Sequence, residues 1–285
     1  MVATSASHRH AVTDAHKDAA LHVSTAGSCA ITVGGVTKAF AARSGRVLAL
    51  EEISVHIRAG EFVSVVGPSG CGKSTFMSLV AGLQKATTGE ITIGDKRVSG
   101  PYTDVGIVFQ RDLLMEWRTT LENVLLQIDM RGLRRKDYVD NAMALLTKVG
   151  LADFADKYPR ELSGGMRQRV SICRALIHDP PVLLMDEPFG ALDALTRDEI
   201  AADLTRLCEQ TAKTVVFITH SIAESVFLSD RVLVMSPRPG RILEDIRIDL
   251  LRPRRTDARD TPVFAEYMHR IRTHLMGAGA SRTHI

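Results

Sequence analysis

Nine residues, Gly67-Pro68-Ser69-Gly70-Cys71-Gly72-Lys73-Ser74-Thr75, constrain this chain more than any other stretch. They lie between an apolar run, Phe62-Val63-Ser64-Val65-Val66, and a segment whose apolar positions Phe76, Leu79, Val80 and Leu83 share one helical face. A glycine-rich turn between strand and helix is a phosphate cradle. Its glycines let successive backbone N–H groups converge on phosphate oxygens, and the helix N-terminus adds positive potential. In the GxxxxGKS spacing the lysine neutralises the β- and γ-phosphates and the following hydroxyl holds a Mg²⁺. Lys73 and Ser74 are therefore expected in those two roles.

The 285 residues are enough for one full α/β core with an inserted or appended piece. A net charge of +3 on this length gives no general case for nucleic-acid binding, so no specific nucleic acid is expected. The four cysteines, Cys29, Cys71, Cys173 and Cys208, lack metal-ligand spacing and suit a reducing compartment. No run of 18 apolar residues is present, so any membrane role is peripheral.

Residues 1–28 read as a disordered tail. An antiparallel opening sheet follows, with Ala30–Val33 and Ile53–Ile57 as strands. Phe40, before a loop from Ala41 to Arg46, fits either a base-stacking aromatic or a core side chain. Val105–Phe109 is a buried strand that ends in Gln110, a polar residue placed at the crevice where such sheets bind ligands. Residues 119–160 are helical: Leu121, Val124, Leu125 and Ile128 repeat at i, i+3, i+4, i+7, and Val139, Ala142, Leu146 and Val149 follow.

Leu162-Ser163-Gly164-Gly165-Met166-Arg167-Gln168 opens another helix, where Ser163 reads as an N-cap or, with Gly164 and Gly165, as a second anion site. Val182-Leu183-Leu184-Met185 reads as a buried parallel strand running into Asp186-Glu187. One carboxylate there suits Mg²⁺ and the next an attacking water. His220 closes a third strand at the same sheet edge and is either structural or a γ-phosphate sensor. Cys71 lies at a helix N-terminus, which fits either a thiol of lowered pKa whose modification blocks ATP or, as the favoured reading, a plain spacer residue. The basic stretch Arg252–Arg259 reads as solvated arginines, ahead of a docked terminal helix with Phe264, Met268, Ile271 and Leu275 on one face.

Gly67–Thr75, Gln110, Leu162–Gln168, Leu184-Met185-Asp186-Glu187-Pro188, Ala191-Leu192-Asp193 and His220, in that order, resemble the ATP-binding cassette ATPases. The resemblance implies an α/β P-loop fold with a mostly parallel sheet, an antiparallel β subdomain and an inserted helical subdomain at about 111–165, all within residues 29–250. Residues 251–285 are then a basic C-terminal extension. It implies a head-to-tail dimer with a second, identical subunit, ATP and Mg²⁺ as ligands, and Ser163, Gly164 and Gly165 of one protomer facing the other across ATP. It assigns adenine stacking to Phe40, phosphates to Gly67–Thr75, metal to Ser74, Gln110 and Asp186, water activation to Glu187, γ-phosphate sensing to His220, and protomer coupling to Asp193.

Asp112–Thr119, containing Trp117, and Met235–Ile242 with Arg252-Pro253-Arg254 are similar to the ATPase subunits of nitrate, sulfonate and taurine importers. That branch implies integral-membrane permease partners, a solute-binding protein and a place on the cytoplasmic face of the inner membrane. The alternative is a soluble ABC ATPase acting on nucleic acid or ribosomes. Such proteins usually carry a long coiled coil between phosphate loop and signature, or tandem cassettes; this chain has one cassette and no heptad run there.

Overall fold

A computed structural model describes residues 29–43, 45–190, 197, 199–202, 204 and 213–280. The tail expected over 1–28 lies outside them, as do Asp193 and Cys208. In chain order the first half holds β1 (Ile31–Ala42), β2 (Gly45–Ile57), β3 (Phe62–Val66), α1 (Lys73–Val80), β4 (Thr88–Ile93), β5 (Lys96–Arg97) and β6 (Val105–Val108). Then come α2 (Thr120–Val124), α3 (Leu126–Met130), α4 (Val139–Lys148), α5 (Gly164–Leu176), β7 (Val182–Asp186) and β8 (Thr214–Ile218). The chain closes with α6 (Ile222–Leu228), β9 (Arg231–Met235), β10 (Ile242–Arg247) and α7 (Pro262–Ala280).

Two sheets result. A four-stranded antiparallel sheet has the order β2-β1-β4-β5, and a six-stranded sheet has the order β10-β9-β3-β8-β7-β6. In the second, β3 runs parallel to β8 and β9, and β7 parallel to β6 and β8, while β10 is the antiparallel edge. Every residue of β3 and β8 is buried, which is why both read as mostly apolar runs, with only Ser64 and Thr214 polar. Side chains still alternate between faces. Phe62, Val66, Leu183, Met185, Val215, Phe217, Val232 and Val234 pack with residues of α5, α6 and α7. Their neighbours Val63, Val65, Leu184, Val216, Ile218 and Leu233 pack with α1 and the antiparallel sheet.

The opening hairpin is longer than expected: pairing continues through Ala41↔Arg46 to Ala42↔Gly45, so the anticipated loop is mostly strand. Gly45, at φ 114°, takes a turn conformation that an L side chain resists. Phe40 pairs with Val47 and carries the Lys38 ammonium 4.9 Å above its ring.

The helical piece also departs in detail. The period from Leu121 to Ile128 predicts one helix, but the Ile128 N–H bonds to the Leu125 carbonyl at 3.0 Å and tightens the chain into α2 and α3. Val124, Leu125 and Ile128 remain buried together, so the apolar face survives the break. This third core also takes Val170 and Cys173 of α5 and Ile177 just after it. Thr119 and Glu122 form a reciprocal capping box that fixes where α2 starts.

Of the C-terminal arginines, Arg255 is exposed as expected, but Arg252 and Arg254 are not solvated. Arg254 is 7% exposed and donates to the carbonyls of Val226, Phe227 and Ser229 at the end of α6, and to those of Ile248 and Leu250. Arg252 bonds Asp230 and the Leu228 carbonyl. A helix C-terminus presents unpaired carbonyls and partial negative charge, and these guanidiniums supply donors and cation together. Phe264 and Ile271 of α7 lie inside the main core, with Met268 and Leu275 packed against it.

Candidate functional site

The parallel strands β3, β7 and β8 deliver their last residues to one sheet edge. After β3 the chain turns through Gly67–Gly72 into α1, with Gly70 at φ 74° and Gly72 at φ 108°. Both lie in the left-handed region that favours glycine. Gly72 is also sterically fixed, because a Cβ there would meet Leu50 Cδ2 at 2.5 Å. Lys73 is 7% exposed, and its Nζ donates to the carbonyls of Gly67 at 2.8 Å and Pro68 at 3.1 Å. The lysine therefore spans the mouth of its own loop. Ser69 and Ser74 are exposed, Thr75 is half-buried, and α1 is anchored beneath by Phe76, Met77, Leu79 and Val80. Leu83, expected on that face, is 48% exposed and lies beyond the helix end.

Cys71 fits the spacer reading and not the reactive thiol. It is 1% exposed, and burial pushes its thiol up, ahead of the lowering by the Lys73 charge. Its side chain backs the loop instead of presenting a thiolate.

β7 ends in Asp186, whose carboxyl burial pushes upward first; a hydrogen bond from Ser74 pulls the other way and the adjacent Glu187 charge adds to the rise. A half-buried carboxylate beside the hydroxyl of Ser74 and a second carboxylate is a donor set that a divalent cation would complete. The residues present thus fit a Mg²⁺ between Ser74 and Asp186, with the exposed Gln110 nearby through Glu187.

Glu187 adopts φ 45°, uncommon for a non-glycine residue, and is held there by its N–H to the Ile218 carbonyl at 2.9 Å and by Gly190 N–H to its own carbonyl at 3.1 Å. One of its oxygens, Oε2, gathers two further residues. Gln110 Nε2 lies 3.3 Å away and His220 Nδ1 3.2 Å away. Four residues picked out at three strand ends, Gln110, Asp186 with Glu187, and His220, are thereby brought to one place beside Lys73 and Ser74.

Ser163 caps α5, accepting from Met166 N–H at 3.3 Å. Among the described residues no hydrogen bond or ion pair joins Ser163, Gly164 or Gly165 to the phosphate loop. Phe40 likewise sits on the hairpin, engaged with Lys38.

Sequence reasoning gave no supporting role to several residues that hold this site. Gly240 presses against the loop: a Cβ there would be 2.1 Å from the Cys71 carbonyl oxygen and 2.8 Å from Met235 Cε. Three α5 side chains grip the segment after β6. Gln168 reaches the Phe109 carbonyl, Arg167 the Asp112 carboxylate at 3.0 Å, and the buried Arg174 the carbonyls of Asp112 and Leu113. Leu113 itself sits at φ 48°. Trp117, a few residues on, is 75% exposed.

Comparison with known proteins agrees with this arrangement. The ABC transporter family pattern matches residues 50–190. An uncharacterized ABC transporter ATP-binding protein of Methanocaldococcus jannaschii is 45% identical over 85% of this chain and 89% of its own length. The taurine import ATP-binding protein TauB of Rhizobium johnstonii is 47% identical over 83% of this chain and 92% of its own. Among solved structures, a dimeric bacterial ABC transporter cassette superposes with a TM-score of 0.70 at 33% identity, covering 78% of this chain and all of that one. A dimeric post-hydrolysis cassette bound to ADP and phosphate gives 0.68 at 32% identity, with the same coverage.

Proposed function

This chain belongs to the ABC transporter ATP-binding family, and from that membership we propose that it is the ATP-hydrolysing subunit of an importer for a small solute such as taurine, an aliphatic sulfonate or nitrate. The observation that carries the chemical part is the convergence of Gln110 and His220 on one oxygen of Glu187, beside the phosphate loop.

In this reading Gly67–Thr75 bind the phosphates of ATP through backbone N–H groups, and Lys73 transfers its ammonium from the loop carbonyls to phosphate oxygens. Phe40 supports the adenine. Ser74, Gln110 and Asp186 would hold Mg²⁺, which when bound neutralises phosphate charge. Glu187 takes a proton from the water that attacks the γ-phosphorus as the bond to the β-phosphate oxygen breaks, while His220 donates toward the γ-phosphate. Ser163, Gly164 and Gly165 serve the ATP bound by a second copy, with Asp193 coupling the two protomers. The dimeric cassettes among the structural relatives support that pairing.

No described helix is long and apolar enough to cross a membrane. The chain is placed at the cytoplasmic face of the inner membrane by a permease, with a solute-binding protein delivering cargo. The exposed Trp117 and the clamped segment from Asp112 to Leu113 support a docking and coupling role next to Gln110. The taurine assignment of the Rhizobium relative supports the substrate class.

The test is to purify tagged chain from detergent-solubilised native membranes, identify what remains bound, and reconstitute that complex in liposomes. A stoichiometric multi-span partner and ATP-driven uptake of labelled taurine, sulfonate or nitrate are expected. Recovery of soluble or nucleic-acid partners alone would reject the importer and leave the ATPase chemistry standing.

A further inference from the structure

The buried carboxylate of Glu224 on α6 has no part in the chemistry above, yet the structure gives it defined partners. It is 7% exposed. Taking a carboxylate out of water is costly unless its oxygens are paired, so such a residue needs a reason. Holding α6 in place is not that reason. Val226, Phe227 and Leu228 bury the helix in the main core, Ser221 caps its start, and Arg254 engages the carbonyls at its end.

The Glu224 bonds are aimed elsewhere. Oε2 accepts from Thr219 Oγ1 at 2.6 Å. Thr219 Oγ1 in turn accepts from Ser221 N–H at 3.0 Å, and Ser221 Oγ accepts from Glu224 N–H at 3.3 Å. These three bonds close a ring around a single residue, His220. The other carboxylate oxygen, Oε1, faces Arg197 Nε at 3.7 Å, and the charges of His220 and Arg259 also face the group. Thr219 is 2% exposed, so the ring lies beneath the surface while His220 projects from it toward Glu187.

We propose that Glu224 is a positioning residue for ATP hydrolysis: shared between Thr219 and Arg197, its carboxylate fixes the direction of His220 and ties the His220 loop to the chain at Arg197. Removing it frees a side chain whose Nδ1 must stay within reach of Glu187 Oε2, and a displacement of about 1 Å at such a site costs up to about a hundredfold in rate. The inference rests on the ATPase reading.

The experiment uses the full chain and its variants Glu224→Ala, Glu224→Gln, Thr219→Val and Phe227→Ala. Single-turnover hydrolysis of labelled ATP, fluorescent-ATP affinity and melting temperature are measured on each. Both Glu224 variants are expected to hydrolyse at least about tenfold more slowly with ATP affinity held within about twofold. Thr219→Val combined with Glu224→Ala should lose little beyond Glu224→Ala alone. Phe227→Ala, which loosens the same helix through its apolar side, should lower the melting temperature without the rate loss. Rates near wild type in either Glu224 variant, affinity falling in step with rate, or an equal slowing in Phe227→Ala overturns the proposal. Absence of hydrolysis by the wild-type chain overturns the ATPase reading, and the positioning role with it.

Discussion

The Lys73 ammonium lies 2.8 Å from the carbonyl oxygen of Gly67, six residues back in its own loop. The lysine is thus held at the site by bonds that phosphate oxygens replace with charge-assisted ones. Lys73→Ala removes two such bonds, each of about 1.5 kcal/mol, so ATP affinity should fall about a hundredfold. Titration with a fluorescent ATP analogue checks this, and unchanged affinity would remove Lys73 from its assigned place.

Glu187→Gln keeps the shape of the site and the φ 45° backbone but removes the proton acceptor. General-base loss lowers turnover by about 10² to 10⁴, with nucleotide affinity retained. Phosphate release against time, beside an equilibrium binding measurement, separates the two. A variant releasing phosphate at the wild-type rate would reject Glu187 as the base.

Gly240→Ala should damage the phosphate loop from behind. The new methyl meets the Cys71 carbonyl oxygen, a backbone atom that cannot rotate away. Overpacking of this kind costs about 1–3 kcal/mol, and here the strain falls on the ligand-binding turn. Both melting temperature and ATP affinity are expected to drop; a fall in neither would show that the loop has room.

Alkylation at neutral pH should leave Cys71 largely unlabelled, with and without ATP, because its thiol is buried and its pKa is raised by that burial. Of the described cysteines, the half-buried Cys29 should react first. Peptide mass spectrometry after brief iodoacetamide treatment reads both sites. Rapid labelling of Cys71 that ATP blocks would restore the reactive-thiol reading.

His178 gives the stability a pH signature. Burial, followed by the Arg131 charge, pushes its pKa down to about 4 from the usual 6.5. Between those values the unfolded chain binds a proton that the folded one refuses, so stability is full above about pH 6.5 and is lost as pH falls toward 4. Melting temperatures across that window should decline more steeply for wild type than for His178→Gln. Parallel curves would show that the imidazole contributes nothing.

The site was legible in the sequence where chemistry sits at the end of an apolar run. Val63–Val66 into Gly67, Ile107–Phe109 into Gln110, Leu183–Met185 into Asp186, and Phe217–Thr219 into His220 are local patterns, and parallel topology places such ends at one edge. What supports the site was not legible, because its partners are backbone atoms far along the chain. Arg174 grips carbonyls some sixty residues earlier, and Gly240 abuts a carbonyl in the phosphate loop. A carbonyl has no sequence identity, so nothing in Arg252–Arg259 distinguishes a cap on α6 from a solvated charge run. Glu224 was hidden for a related reason: a lone acid in a helix looks like surface until Thr219 and Arg197 close on it.

The strand order carries a consequence for biosynthesis. β3, which feeds the phosphate loop, lies between β8 and β9, and both are translated some 150 residues after it. At about 5–20 residues per second, Phe62–Val66 spends on the order of ten to thirty seconds as an apolar strand with neither edge paired. The nascent cassette is thus most exposed to aggregation in the segment that later binds ATP. A ribosome pausing between β6 and β8 prolongs that hazard, and a chaperone that shields apolar strands has its most valuable task on this chain in the same interval.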